Sequence, residues 1–243
     1  MVTTKQILNK GEAKIVAHRG ISGIEPENTL SAFIAAGNRS YFGIETDVHK
    51  TADGKFICSH DSNTVRMTGI EAIIEETDYE VLAKMKVLDT DKASFRSDLY
   101  MPTLKEYIAV CKKYGKKAVL ELKNCFNEDE IRAITDEIAE LDYLDGTIFI
   151  AFDIDNLHHV RKLYPKQTVQ YLVSERRCPS NFVELIEKYG FDLDAQHTLI
   201  TPELIERCHG FGAEINVWTV DDPTRAEELI KMGVDQITTN ICE

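Results

Sequence analysis

Short apolar runs alternate with longer amphipathic segments along most of the chain. The apolar runs predict β-strands at residues 14–18, 42–48, 55–60, 117–122, 147–152, 168–173, 191–195, 214–218 and 234–238. The amphipathic segments predict helices at residues 29–39, 103–113, 127–141, 154–163, 180–188, 201–209 and 223–232. Alternation of strands and helices at this spacing is typical of repeated βαβ units around a parallel sheet.

Eight of the predicted strands suit a closed (β/α)8 barrel, a TIM barrel. The turn-forming run Thr51-Ala52-Asp53-Gly54 joins the strands at 42–48 and 55–60, so these two form an antiparallel hairpin and the second of them stands outside the barrel. Because barrels of about 250 residues are commonly single domains, residues 1–243 are predicted to form one α/β domain. The segment 3–8 is expected to form a short helix that covers the bottom of the barrel.

Residues 61–101 interrupt this alternation. They are polar and rich in turn-forming residues, and they show no apolar period of helix length. A connection this long is usually functional. We therefore expect a small insertion after the hairpin strand, lying over the end of the barrel where His60 is found.

The charge and composition of the chain argue against several classes of binding partner. The net charge of −13 argues against a nucleic-acid partner or an anionic membrane surface. No apolar stretch has the length of a membrane span or of a signal-peptide core, so the sequence predicts a cytoplasmic protein without a stable membrane anchor. The cysteines are scattered without a CxxC pair, which favours reduced thiols.

Acidic side chains collect where barrel strands end. Glu45 and Asp47 share one face of their strand, and Glu121 and Lys123 share a face in the same way, because side chains two apart point in the same direction. The carboxyl ends of the strands form the mouth of a barrel. Three carboxylates there suit Mg²⁺ or Ca²⁺. The alternative is a set of exposed loop acids, which are ordinary in so acidic a chain.

Two histidines fall at the same end of the predicted barrel. His18 and His60 can serve as general base and general acid, since imidazole titrates near neutral pH. A single histidine in such a place is more often a hydrogen-bonded strand-end residue. His49 continues the face of Glu45 and Asp47, and we assign it a supporting role at most.

Positive charge is available beside the acids. Arg19 and Lys123 can bind an anionic substrate, or each can pair with a neighbouring glutamate. Trp218 ends its strand and either contacts a ligand or packs in the core. Asn28 or Thr29 after Pro26 is expected to cap a helix, a structural role only.

These motifs resemble the glycerophosphodiester phosphodiesterases. The resemblance rests on five ordered motifs: His18-Arg19-Gly20, Pro26-Glu27-Asn28-Thr29, Glu45-x-Asp47, Thr51-x-Asp53-Gly54 and His60-Asp61. Glu121-x-Lys123 and Asn216-Val217-Trp218-Thr219 extend it more weakly over the second half. The family has a (β/α)8 barrel with a small insertion at the position of residues 61–101.

The resemblance implies a metal-dependent hydrolysis of glycerophosphodiesters to an alcohol and sn-glycerol 3-phosphate. It implies Glu45, Asp47 and Glu121 as metal ligands, His18 and His60 as the acid/base pair, and Arg19 and Lys123 as contacts to the phosphate. One alternative is a lysophospholipase D or a phospholipase-D-like diesterase on the same barrel. The other is a non-catalytic barrel that binds a metal and a phosphate.

Overall fold

The computed structural model describes residues 2–243, and a closed barrel of eight parallel strands lies at its centre. The barrel closes because β1 pairs with both β2 and β9. This confirms the predicted (β/α)8 fold. The barrel strands are β1 (Lys14–Ala17), β2 (Gly43–Lys50), β4 (Lys117–Leu122), β5 (Thr147–Ala151), β6 (Val169–Val173), β7 (Asp192–Gln196), β8 (Ile215–Trp218) and β9 (Gln236–Thr239), with β3 (Phe56–Cys58) outside the barrel.

The helices outside the barrel follow the predicted segments closely. Several begin at side chains that cap the first turn: Thr103 and Asn127 each form a reciprocal capping box. One predicted start was wrong, since Asn181 rather than Ser180 precedes the first turn of its helix. The helices are α1 (Leu30–Gly37), α2 (Val65–Thr68), α3 (Tyr79–Leu82), α4 (Leu104–Tyr114), α5 (Glu128–Ala139), α6 (Ile154–Leu163), α7 (Phe182–Tyr189), α8 (Pro202–Gly210) and α9 (Pro223–Met232).

The predicted hairpin positions the second histidine. β3 pairs antiparallel with β2, with Val48 opposite Cys58. The pairing continues one step further, because the backbone N–H of Ser59 donates to the carbonyl of Asp47 at 3.0 Å. His60 therefore leaves the hairpin beside the carboxyl end of β2.

The insertion, residues 61–101, folds around a small apolar cluster of its own. Its α-helices, α2 and α3, have four residues each, in agreement with the missing helical period. Arg66 and Arg96 tie it to the barrel through ion pairs with Glu27 and Glu25. The cluster consists of Ile57, Ile74, Leu82, Met85, Val87, Leu99 and Met101.

The expectation of an N-terminal helix was wrong. The segment around Lys5 is extended and forms a parallel bridge with Cys242. The N–H of Lys5 donates to the carbonyl of Ile241, and the N–H of Ile7 donates to that of Glu243. The Lys5 ammonium reaches the carbonyl of Asp221, in the loop after β8, so this segment does not cap the bottom of the barrel. Backbone pairing with the chain's last residues replaces the helical hydrogen bonds.

The barrel contains both an apolar cluster and buried polar residues. Val16, Val119, Ile148, Ile150 and Leu172 form a compact cluster inside it. Buried polar residues follow on the next strands, with Gln170 on β6, Asp194 on β7, Asn216 on β8 and Thr238 on β9. No helix among residues 2–243 is long and apolar enough to cross a membrane. The cysteines of this part of the chain are all free.

Candidate active site

The barrel brings the predicted site residues together at one cleft. The cleft opens at the carboxyl ends of the strands, and the cleft together with its opening to solvent holds about 430 Å³ of space. Asp47 lies just beneath its surface, 1 % exposed. The other predicted site residues all line the cleft: His18, Arg19, Glu45, His60, Glu121, Lys123 and Trp218.

The three carboxylates converge, as the alternation along β2 and β4 predicts. Asp47 lies opposite Glu121 in the parallel register of these strands. One oxygen from each of Glu45, Asp47 and Glu121 lies within 4.8 Å of the others. Glu45 is 3 % exposed, so these are not exposed loop acids.

Each carboxylate is held by one hydrogen bond from a neighbouring group. Glu45 Oε2 accepts from the backbone N–H of Arg19 at 2.8 Å, and Glu121 Oε1 accepts from Lys123 at 2.9 Å. Asp47 Oδ2 accepts from the amide of Asn28 at 2.9 Å. Asp47 Oδ1 is buried without a hydrogen bond. These bonds fix the side chains and leave oxygens free to face a common point.

The acids repel one another in this enclosed place. Burial raises the pKa of Glu45, and the charge of Asp47 raises it further. The same two causes raise the pKa of Glu121 to about 7. Burial also acts to raise the pKa of Asp47, but the charges of Lys123 and Arg19 outweigh it and lower this pKa.

This set of residues fits a hard divalent cation. Three carboxylates face two positive side chains, Arg19 and Lys123, which leaves one negative charge uncompensated when all are ionised. A buried carboxylate oxygen that accepts no hydrogen bond is costly unless a cation lies close to it. Mg²⁺ and Ca²⁺ bind oxygen ligands of this kind. Asp47 Oδ1, which accepts no hydrogen bond and has the Lys123 ammonium 3.4 Å away, is the observation that favours a further cation here.

The backbone after β1 turns sharply to deliver His18 and Arg19. Arg19 and Gly20 both adopt left-handed conformations, with φ of 54° and 73°. A Cβ on Gly20 would lie 2.7 Å from the backbone of Ala32 in α1, so this position requires glycine. The tight turn lets the N–H of Arg19 reach Glu45.

His18 is held through its Nδ1 atom. Nδ1 lies 2.7 Å from Oδ1 of Asn240, whose own amide nitrogen donates to Asp221 at 2.6 Å. The carboxylate of Asp221 therefore orients the amide with its oxygen towards His18. Nδ1 carries the proton in this arrangement, and Nε2 lies 4.0 Å from Glu45. Burial lowers the pKa of His18 to about 4, and the charge of Arg19 contributes.

His60 is held by a carboxylate instead. Its Nδ1 lies 2.7 Å from Asp61 Oδ1. The other oxygen of Asp61 accepts from Arg66, which also pairs with Glu27. Burial lowers the pKa of His60, whereas Asp47 and Asp61 act to raise it.

Asn28 was expected to have only a structural role and Glu27 was given no role, yet both contact the site. Thr29 caps α1 as predicted, but Asn28 has φ of 53° and bridges Asp47 and Thr46. Glu27 accepts from Arg19 at 2.9 Å. Thr29 is therefore the cap, and Asn28 instead contacts the site through Asp47. Its place two residues after a proline, in a motif that follows His18-Arg19-Gly20, was the available signal.

Trp218 forms part of the apolar side of the cleft. Its ring packs edge-on against Phe152, with centroids 5.9 Å apart. Ile150 and Leu172 extend this surface. Trp218 packs against the interior and also faces the cleft, so its contact with a ligand stays a prediction.

The remaining histidines do not line the cleft. His49 is buried, and its Nε2 lies 3.3 Å from the carbonyl of His60, a supporting contact. His158 packs against Tyr189. His159 and His209 contact Phe126 and Asp235, away from the acids.

The family model of the glycerophosphoryl diester phosphodiesterase family matches residues 18–243. The chain belongs to this family. The match begins at His18 and includes all the residues of the cleft. It places the chain among enzymes, as phosphoric diester hydrolases that act on glycerophosphodiesters.

The similarity to other proteins of this family extends over almost the whole length of both chains. A glycerophosphodiester phosphodiesterase of Caldanaerobacter subterraneus subsp. tengcongensis is 30% identical, over 93% of both chains. A phosphodiesterase of Oleispira antarctica, solved with its product sn-glycerol-3-phosphate, is 26% identical with a TM-score of 0.85, and the likeness covers 97% of this chain and 96% of the other. A glycerophosphodiester phosphodiesterase of Parabacteroides distasonis is 28% identical with a TM-score of 0.78, over 94% and 93% of the two chains.

Proposed function

We propose that this protein hydrolyses glycerophosphodiesters to an alcohol and sn-glycerol 3-phosphate, with a divalent cation and two histidines. The observation that carries the proposal is the meeting of three buried carboxylates and two imidazoles at one cleft. Family membership supports the substrate class, and the product bound to the Oleispira antarctica enzyme supports the product.

Glu45, Asp47 and Glu121 would hold the cation, Mg²⁺ or Ca²⁺. When bound, the cation supplies positive charge to a phosphate oxygen and acidifies a hydroxyl next to it. Asn28 orients Asp47 for this role through its amide.

Arg19 and Lys123 bind the phosphate in this proposal. Both lie within 3.5 Å of Asp47 and both line the cleft. They supply a local positive charge inside an acidic protein, as an anionic substrate requires. Trp218 and Phe152 cover the carbon atoms of the substrate on the opposite side.

His18 is the general base. Its Nδ1 proton is committed to Asn240, and its low pKa keeps the ring neutral, so Nε2 can accept the proton of the nucleophile. The nucleophile is the neighbouring glycerol hydroxyl or a water. Its oxygen forms a bond to phosphorus as the bond from phosphorus to the alcohol oxygen breaks.

His60 is the general acid. The carboxylate of Asp61 stabilises a proton on this ring, which His60 Nε2 gives to the leaving alcohol oxygen. If the glycerol hydroxyl attacks, a water then opens the cyclic phosphate with the two histidines in exchanged roles.

Turnover of glycerophosphocholine tests the proposal. With Mg²⁺ or Ca²⁺ present, we expect release of choline and glycerol 3-phosphate, loss of activity on chelation and recovery on adding the cation back. Glu203→Gln, an exposed carboxyl on α8, is the matched control and should retain full activity. Full activity after thorough chelation would contradict the proposed metal dependence, and ligand binding without turnover would favour a sensor.

A lysophospholipase D is the second candidate, and one observation favours it. The insertion exposes apolar side chains, Val65, Ile70, Val81 and Phe95 among them. Such side chains can contact an acyl chain. Hydrolysis of lysophosphatidylcholine in preference to glycerophosphocholine would support this candidate.

A further inference from the structure

Asp194 is a buried carboxyl that the proposed chemistry does not use. It lies on β7, opposite Leu172 on β6 and Asn216 on β8. Asp194 is among the residues that line the cleft, yet only 1 % of it is exposed. It therefore stands at the enclosed, inner part of the cleft.

One oxygen of the Asp194 carboxyl lacks a hydrogen-bond partner. Its Oδ1 atom is buried without a hydrogen bond. The amide of Asn216 faces the carboxyl and is itself held by Thr238, whose hydroxyl donates to it at 3.0 Å. Burial raises the pKa of Asp194, and Glu121 raises it further, which favours the protonated form that can donate a hydrogen bond.

Buried Gln170 and Asn216 lie on the strands either side of Asp194, but apolar side chains line the cleft beside it. Ile150, Phe152 and Leu172 line the same part of the cleft. A buried polar group without a hydrogen-bond partner destabilises the unliganded protein. A ligand group that forms a hydrogen bond with Oδ1 would remove this destabilisation. The carbon atoms of the ligand would then lie against the apolar side chains of the cleft.

We propose that Asp194 binds the terminal hydroxyl of the substrate's glycerol, the one farther from the phosphate. This inference rests on the proposed function and makes it more specific. The enclosed part of the cleft suits the small, constant glycerol portion, whereas the departing alcohol needs an open path. The selected substrates are then diesters of unacylated glycerol, because an acyl group on this hydroxyl would remove its proton and extend into the closed wall.

A cycle of enzyme and substrate changes tests this assignment. The substrates are glycerophosphocholine and its analogue in which 1,2-propanediol replaces glycerol, so that only the terminal hydroxyl is lost. For the natural enzyme we expect kcat/KM to fall about tenfold between the two substrates. In Asp194→Ala and Asp194→Leu, which differ in the space they leave, we expect this ratio to approach one.

A carboxyl two residues away on the same strand provides the control. Asp192→Asn should keep the ratio of the natural enzyme, because Asp192 is not in the cleft and accepts from the backbone of Glu214 instead. An unchanged ratio in both Asp194 variants would overturn the inference. So would a loss confined to choline diesters and absent for glycerophosphoglycerol, since the carboxyl would then serve a cationic alcohol.

The failure of the inference and that of the proposed function can be told apart. If the natural enzyme hydrolyses neither substrate with Mg²⁺ or Ca²⁺, the proposed function fails. If it hydrolyses glycerophosphocholine and the ratio of the two kcat/KM values is the same in the Asp194 variants, only the inference fails. Hydrolysis of 1-acyl-glycerophosphocholine at the rate of glycerophosphocholine would also contradict it.

Discussion

At the scale of single residues, the two histidines differ in what holds them. His18 faces an amide oxygen, whereas His60 faces a carboxylate. A neutral partner leaves the first ring free to accept a proton, and a negative partner stabilises a proton on the second. In the proposed mechanism this difference favours His18 as the base and His60 as the acid, an assignment that the sequence left open.

The assignment predicts different responses to the leaving group. His60→Ala should lose about 10²- to 10⁴-fold in kcat on glycerophosphocholine. It should lose much less on a glycerol phosphodiester of p-nitrophenol, which leaves without protonation. His18→Ala should lose activity on both, as steady-state kinetics would show. Rescue of His18→Ala by the activated ester, but not of His60→Ala, would reverse the roles.

Asp192 gives a prediction for stability against pH. Burial raises its pKa to about 6. A raised pKa means that the folded state holds the proton more tightly, so the stability it contributes is complete below pH 3.8 and is lost as the pH rises through about 6. Asp192→Asn lacks this loss. Its free energy of unfolding relative to the natural protein should rise by about 1–3 kcal/mol between pH 4 and pH 7 in urea titrations; a constant difference would contradict the account.

Residues of the site could be predicted from the sequence only where a local pattern along one strand identifies them. Strand alternation is local, so Glu45, Asp47 and Glu121 could be found. The role of Asn28 depends on a left-handed backbone and on a contact to β2, which no local period reveals. In the sequence Asp194 does not differ from other strand residues, and only the closed barrel shows that it lies at the cleft.

At the scale of elements, the insertion supports His60 through Arg66. This guanidinium joins Asp61 to Glu27 and so connects α2 to the loop after β1. His60 is oriented by Asp61, and the ion pairs of Arg66 fix Asp61 in turn. The insertion is therefore part of the site's framework.

Arg66→Gln should lower kcat by about ten- to a hundredfold while the fold is retained, because a loosely placed acid meets the leaving oxygen less often. Arg96→Gln is the matched control. Arg96 also ties the insertion to the barrel, through Glu25 and Ser31, but does not contact Asp61. Steady-state kinetics with circular dichroism would check both variants. Equal losses in the two would mean that general anchoring of the insertion, and not Asp61, is what matters.

The elements themselves were largely predictable, because amphipathic periods and capping residues act within a few positions of the chain. The N-terminal segment shows the limit. Lys5 and Ile7 are extended because they pair with residues at the opposite end of the chain. That backbone pairing has no signature in the residues near Lys5.

At the scale of the whole molecule, the site exists only in the closed barrel. Two carboxylates come from β2, the third comes from β4, and the partner of His18 follows β9. Strand pairing between β1 and β9 brings Asn240 to His18. The overall charge of −13 gives no indication of the positive side chains gathered in the cleft.

Calorimetric titration with Mg²⁺ and with Ca²⁺ tests the central claim, that carboxylates of two strands hold one cation. The natural protein should bind one ion per chain. Glu45→Gln and Glu121→Gln should each weaken this affinity by about a hundredfold or more, because each removes one charged ligand. The control Glu203→Gln should bind as the natural protein does. Unchanged affinity in either cleft variant, or no binding by the natural protein, would contradict the claim.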